Sequence, residues 1–98
     1  MTIMTNHFSN WYINNMYGSK SDLGMNEIID TYIRINPKAN LLDMALDCYS
    51  NSKDYESDLN VAYELECMLF AIFRRMSDAE NALYRNIINE EVVTNFSN

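Results

Sequence analysis

Apolar residues recur along this chain every three or four positions, the spacing of one face of an α-helix. Met25, Ile28, Ile29, Tyr32 and Ile33 follow that pattern most cleanly, with Asn26, Glu27, Asp30 and Arg34 on the opposite side. Phe8, Trp11, Tyr12 and Met16 form an earlier segment that Gly18 can stop, because glycine accepts the left-handed conformation that closes helices. Asn36-Pro37 reads as the end of the second helix and the start of a third, with Asn as N-cap and Pro in the first helical position. Leu41, Leu42, Met44, Ala45, Leu46, Cys48 and Tyr49 continue that third helix, and Ser50-Asn51-Ser52-Lys53 reads as a turn.

A fourth helix is expected from Asp54 to about Met76. Leu59, Ala62, Tyr63, Leu69, Phe70 and Phe73 share one stripe, and Val61, Leu65, Met68 and Ile72 widen it. A helix apolar on so many sides is expected to lie among others. Arg74 and Arg75 fall in its last turn, where cations complement the helix dipole. Ser77-Asp78-Ala79-Glu80 has the form of a capping box and opens a fifth helix carrying Leu83, Tyr84, Ile87 and Ile88, after which residues 94–98 are expected to fray. No apolar-polar alternation and no Asn-Gly or Asp-Gly hairpin signal appears. The expectation is an all-α fold, a single compact bundle of about five helices over residues 5–17, 22–35, 37–50, 54–76 and 78–91, forming one domain of residues 1–98.

Composition narrows the chemistry. The 98 residues, 48% of them hydrophobic, can build a core without metal or disulfide support. Cys48 and Cys67 lack CxxC spacing and read as buried thiols of a reducing compartment, with a single disulfide between them as the alternative. Residues 1–19 contain no Asp, Glu, Lys or Arg, yet Asn, Ser and Thr interrupt them throughout, so they have neither the basic start and apolar run of a secretion signal nor the continuous apolar stretch of a membrane span. The expected location is the cytoplasm. Asn, Ile and Tyr are abundant while Lys occurs only 3 times, the bias of an AT-rich gene with its lysines removed.

The formal net charge is −7, which disfavours contact with nucleic-acid phosphate. Its distribution is uneven. Residues 43–66 hold Asp43, Asp47, Asp54, Glu56, Asp58, Glu64 and Glu66 against Lys53 alone, a net −6. Part of this is helix-dipole complementation at the start of the fourth helix. The clustering, flanked by Tyr49 and Tyr55, also suits a docking surface for a basic partner. Asp43, Asp47, Tyr49, Asp54, Tyr55, Glu56 and Asp58 are therefore the expected partner-binding residues.

Catalytic constellations are sparse. His7, the sole histidine, is the one candidate for a hydrolytic triad and is read as a surface or packing residue; with two separated cysteines it makes a poor zinc set. There is no calcium loop and no glycine-rich phosphate loop. No cofactor, metal or catalytic residue is expected. Glu66 is the one carboxylate placed within the apolar stripe, where desolvation would raise its pKa; it is read as a structural acid, with a catalytic acid as the alternative.

In whole-chain character, the acidic Asp43–Glu66 region, the Tyr-flanked Ser50–Lys53 turn and the Asn-rich bias, the chain resembles the bacterial immunity proteins of contact-dependent growth inhibition systems. The resemblance implies a cytoplasmic protein that is not an enzyme. It would bind one cognate toxin domain, frequently a nuclease and in some cases one that cleaves tRNA, by covering the active or substrate-binding surface. Two other functions fit parts of the pattern: a phage-encoded acidic DNA mimic that blocks a defence nuclease, and a small helical enzyme using Glu66.

Overall fold

The computed structural model describes residues 7–54 and 58–97, and for His7, Ser19 and residues 91–97 it describes the backbone only. Five α-helices occupy this part of the chain, with no strand among the described residues: α1 His7–Asn15, α2 Met25–Ile35, α3 Leu41–Asp54, α4 Leu59–Phe73 and α5 Asp78–Ser97. A 3-10 turn, Gly18–Lys20, joins the first two.

The helix boundaries follow from local hydrogen bonding. The Met16 and Tyr17 N–H groups both donate to the Tyr12 carbonyl, at 2.8 and 2.9 Å, and Gly18 then takes φ +70°, closing α1. At α5 the capping box forms as its spacing predicts: the Ser77 N–H donates to Glu80 Oε1 at 2.9 Å and the Glu80 N–H donates to Ser77 Oγ at 3.2 Å.

Three boundaries differ from the sequence reading. Asn36 does not cap α3; it closes α2, its backbone and side-chain N–H groups both reaching the Tyr32 carbonyl. Asn40 caps α3 instead, accepting the Asp43 N–H on Oδ1 at 2.9 Å. Residues 50–53 are not a turn but the last turn of α3, held in part by Asn51 Nδ2 donating to the Asp47 carbonyl at 2.9 Å. Accordingly α4 starts at Leu59, with Asp58 Oδ1 accepting the Val61 N–H. The expected fraying of the tail is also not seen in the backbone, which stays helical to Ser97.

The core is built where three helices face one another. α3 packs chiefly on α4, and α1 and α5 also pack on α3. Leu65, Met68 and Ile72 of α4 and Met44, Ala45 and Cys48 of α3 are almost fully buried. Phe8 and Tyr12 bring α1 onto this surface, and Ile28, Ile29 and Tyr32 bring α2. Aromatic rings knit the α1–α2 seam, with Phe8 4.9 Å and Trp11 5.2 Å from Tyr32 between ring centroids. Phe73 and Tyr84 meet edge-on at 4.9 Å and join the end of α4 to α5. Arg75 pairs with Asp30 on the surface, linking the end of α4 to α2. The Cα radius of gyration, 13.5 Å, is that of a compact domain of this length.

A candidate protein-docking surface on α4

The acids expected to form one surface are dispersed by the fold. Asp43 lies exposed in the first turn of α3 and hydrogen-bonds Asn40, while Asp54 lies exposed at the opposite end of the same helix. Asp58 is exposed at the start of α4, where it caps the helix. Tyr49 is half-buried: it meets Tyr84 edge-on and Lys53 Nζ sits 4.3 Å over its ring. Tyr55 and Glu56 lie outside the described residues, as does the side chain of His7.

Asp47 departs furthest from expectation. It does not share an exposed face with Asp43 but is 1% exposed, in the α1–α3 seam. Its Oδ2 accepts the Ser9 N–H at 2.7 Å and its Oδ1 accepts Asn51 Nδ2 at 2.6 Å. Ser9 stands in the first turn of α1, where backbone N–H groups lack partners within the helix. Asp47 thus caps α1 from another helix, its charge set against the positive end of the α1 dipole. Burial pushes its carboxyl up to about 6, and the hydrogen bonds from α1 and Asn51 only partly pull it back. The Ser9 hydroxyl is also fully buried, close to Asp47 and Cys48. An acid so enclosed holds the fold together; it offers no charge to a partner.

Beside this seam, α1, α2 and the start of α3 enclose a groove of about 370 Å³, walled by Phe8, Tyr32, Ile35, Ala39 and Met44. Its polar edge includes Lys38 and Asp43.

The outer face of α4 is the second departure. Of the expected stripe, Leu59, Tyr63 and Phe70 point outward, 75%, 64% and 59% exposed, whereas Leu69 is buried and Phe73 packs against the core. The helix instead buries its other side, Val61, Leu65, Met68 and Ile72. Glu66, expected within a buried stripe, is exposed between Tyr63 and Phe70. Cys67 is half-buried on the same side and Cys48 fully buried in the core; both are free thiols, so only Cys48 matches the expectation of a buried thiol. The Tyr63 hydroxyl lies against Cys67, which raises its pKa.

Leu59, Tyr63, Glu66 and Phe70 thus form an exposed run of three apolar anchors and one carboxylate, with Asp58 at its head. Such a surface can bind by burying aromatic side chains while its acids attract a cationic rim. The sequence marked these residues as apolar and helical but assigned them to the core; their outward direction was set by which side of α4 met α3. Among the described residues there is no group of three or more side chains able to hold a metal ion, and no helix long and apolar enough to cross a membrane. No protein-family model, curated protein or solved structure matches the chain.

Proposed function

We propose that this protein is a binding inhibitor: an immunity protein that docks on a cognate bacterial toxin domain and occludes its active or substrate-binding surface. The observation that carries this reading is the outward face of α4, where Leu59, Tyr63 and Phe70 are exposed beside Asp58 and Glu66. Large apolar side chains held in water on a rigid helix are the usual anchors of protein interfaces. The surrounding charge fits a basic partner, since residues 43–66 carry a net −6. A toxin that cuts nucleic acid must present a basic surface to phosphate, and an acidic partner competes for that surface.

Within this reading the roles divide. Tyr63 and Phe70 supply the buried anchors, each worth about 2 kcal/mol or more on truncation if central to the interface. Asp54, Asp58 and Glu66 steer association. Asp47 and Tyr49 act through the fold and not through contact.

The test uses the toxin domain encoded beside this gene, expressed with and without the protein. Growth should be protected by the wild type and lost with the Tyr63→Ala/Phe70→Ala double variant. The Asp54→Asn/Asp58→Asn/Glu66→Gln variant should slow association and flatten its salt dependence while its circular dichroism stays native. Full protection by the double variant would sink the α4 assignment. A neighbouring protein that is neither toxic nor bound would sink the toxin reading itself.

A further inference from the structure

We propose that the outer face of α4 receives a single amphipathic α-helix of the partner, with a cationic side chain placed opposite Glu66. The assignment rests on that face being a docking surface and adds the identity of what docks there. Leu59, Tyr63, Glu66 and Phe70 follow one another at intervals of four, three and four residues, and Phe73 continues the series three residues on. At 3.6 residues per turn, Leu59 to Phe70 fall in a strip about 60° wide and about 17 Å long. These side chains are exposed, and the half-buried Phe73 closes the foot of the strip, its ring centroid 5.9 Å from that of Phe70.

This spacing selects the shape of the occupant. An alternation of three and four is the seam along which one helix packs on another, each side chain seated between those of the facing helix. A second helix of about three to four turns touches every position of the strip at once. An extended strand, whose side chains alternate with a period of two, meets only some of them. The shoulders of the strip are Ala62 on one edge and Cys67 on the other, both small enough to let a helix axis come close.

The charge selects its chemistry. Glu66 lies within the strip between Tyr63 and Phe70, and no cation pairs with it among the described residues. A helix laid on Leu59, Tyr63 and Phe70 takes this carboxylate out of water, which is costly unless a cation meets it. The occupant therefore carries Arg or Lys at the seam position facing Glu66, and apolar residues at the positions facing Tyr63 and Phe70. That cation also fixes the register, because a slip of one turn would set Glu66 against an apolar side chain. Leu59, Tyr63, Glu66 and Phe70 include no cation, so a second copy set strip on strip supplies none opposite Glu66. Exposed Asp58 at the head of α4 adds attraction for a basic occupant.

Designed peptides titrated against the full chain test this. Three fluorescein-labelled peptides, each about 18 residues long, share a leucine seam of three-four spacing on a background of paired Glu and Lys. They differ only at one central seam position, which is Arg, Leu or Glu. By fluorescence anisotropy the Arg peptide should bind the wild type at least about 10-fold more tightly than the Glu peptide. Glu66→Lys should reverse that order and Glu66→Gln should remove the preference. Asp22→Lys, which changes the net charge as much as Glu66→Lys but at an exposed position before α2, should leave the preference intact. Tyr63→Ala/Phe70→Ala should weaken all three peptides by at least about 10-fold. Amide shifts caused by the Arg peptide should centre on residues 59–73. Equal binding of the Arg and Glu peptides overturns the proposal, as does an order unchanged in Glu66→Lys or reversed equally by Asp22→Lys. Shifts centred elsewhere, or no binding at about millimolar peptide, overturn it too. If Tyr63→Ala/Phe70→Ala abolishes toxin protection while the peptides ignore Glu66, the helix falls and the docking reading stands. If protection survives those changes while the Arg peptide binds selectively, the face takes a helix and the toxin docks elsewhere.

Discussion

The Ser9 N–H donates to Asp47 Oδ2 at 2.7 Å, across 38 residues of chain, and ties the first turn of α1 to the middle of α3. The bond supplies an acceptor to a helix N-terminus and a partner to a buried carboxylate, two groups that would each be costly alone.

Asp47→Ala should therefore be strongly destabilising, by about 2–3 kcal/mol, because it leaves the buried Ser9 N–H without its acceptor. Urea denaturation monitored by circular dichroism measures it. A loss below about 0.5 kcal/mol, the range of ordinary surface substitutions, would show that α1 is held by its aromatic contacts alone.

The same carboxyl should make stability depend on pH in an unusual direction. Its value rises from 3.8 to about 6 in the folded protein because it is buried, among Ser9 and Phe8 of α1, Tyr32 of α2 and Cys48 and Asn51 of α3. The folded state then binds the proton more tightly than the unfolded chain. Its contribution to stability grows as pH falls through 6 and levels off below 3.8. Asp47→Asn removes the titrating group. The difference between wild-type stability at about pH 7 and at about pH 5 should shift in that variant, with the gain on acidification reduced. An unchanged pH profile would contradict an ionisable Asp47 in this range.

Tyr12 carries a second tertiary bond, its hydroxyl donating to Glu64 Oε1 at 2.7 Å. Tyr12→Phe keeps the ring in the core and removes only this bond, for an expected cost of about 1 kcal/mol. In the wild type, burial and the neighbouring Glu64 carboxylate hold the Tyr12 phenol above the ordinary tyrosine range. Alkaline spectrophotometric titration should show one late-ionising tyrosine fewer in the variant.

The two sides of α4 should respond oppositely to truncation. Leu65 is fully buried, and Leu65→Ala should cost about 2–5 kcal/mol. Tyr63→Ser and Phe70→Ser sit on the open side and should change stability by no more than about 0.5 kcal/mol. Thermal melting distinguishes these outcomes. A large loss at Phe70 would mean that the face is covered within the monomer.

Some helix ends were legible in the sequence because the groups that close them lie within one helical turn. Ser77 and Glu80 satisfy each other's backbone N–H groups, so their spacing suffices. Gly18 closes α1 through its own backbone freedom. The i, i+3, i+4 pattern of Ile28, Ile29 and Tyr32 finds the buried side of α2 because only one side of that helix is apolar.

Asn36 and Asn40 show where such reading ends. Both are able caps about one turn apart, and periodicity does not say which one closes α2 and which opens α3. Asp47 carried a signal that passed unused: it lies one turn from Met44 and one from Asn51, on the buried side of α3. Periodicity placed it there, but a carboxylate is tolerated in a core only when donors meet it, and of its two donors one, Ser9, stands 38 residues away.

The amino-acid sequence alone determined that this chain is helical, how many helices it forms and that its negative charge is concentrated in about one quarter of its length. Only the tertiary structure decided which acid is buried and which side of α4 meets water. Both depend on surfaces brought together from distant parts of the chain. A helix apolar on several sides can bury any of them until its neighbours arrive. Here α3 covered Leu65, Met68 and Ile72, and left Leu59, Tyr63 and Phe70 outside.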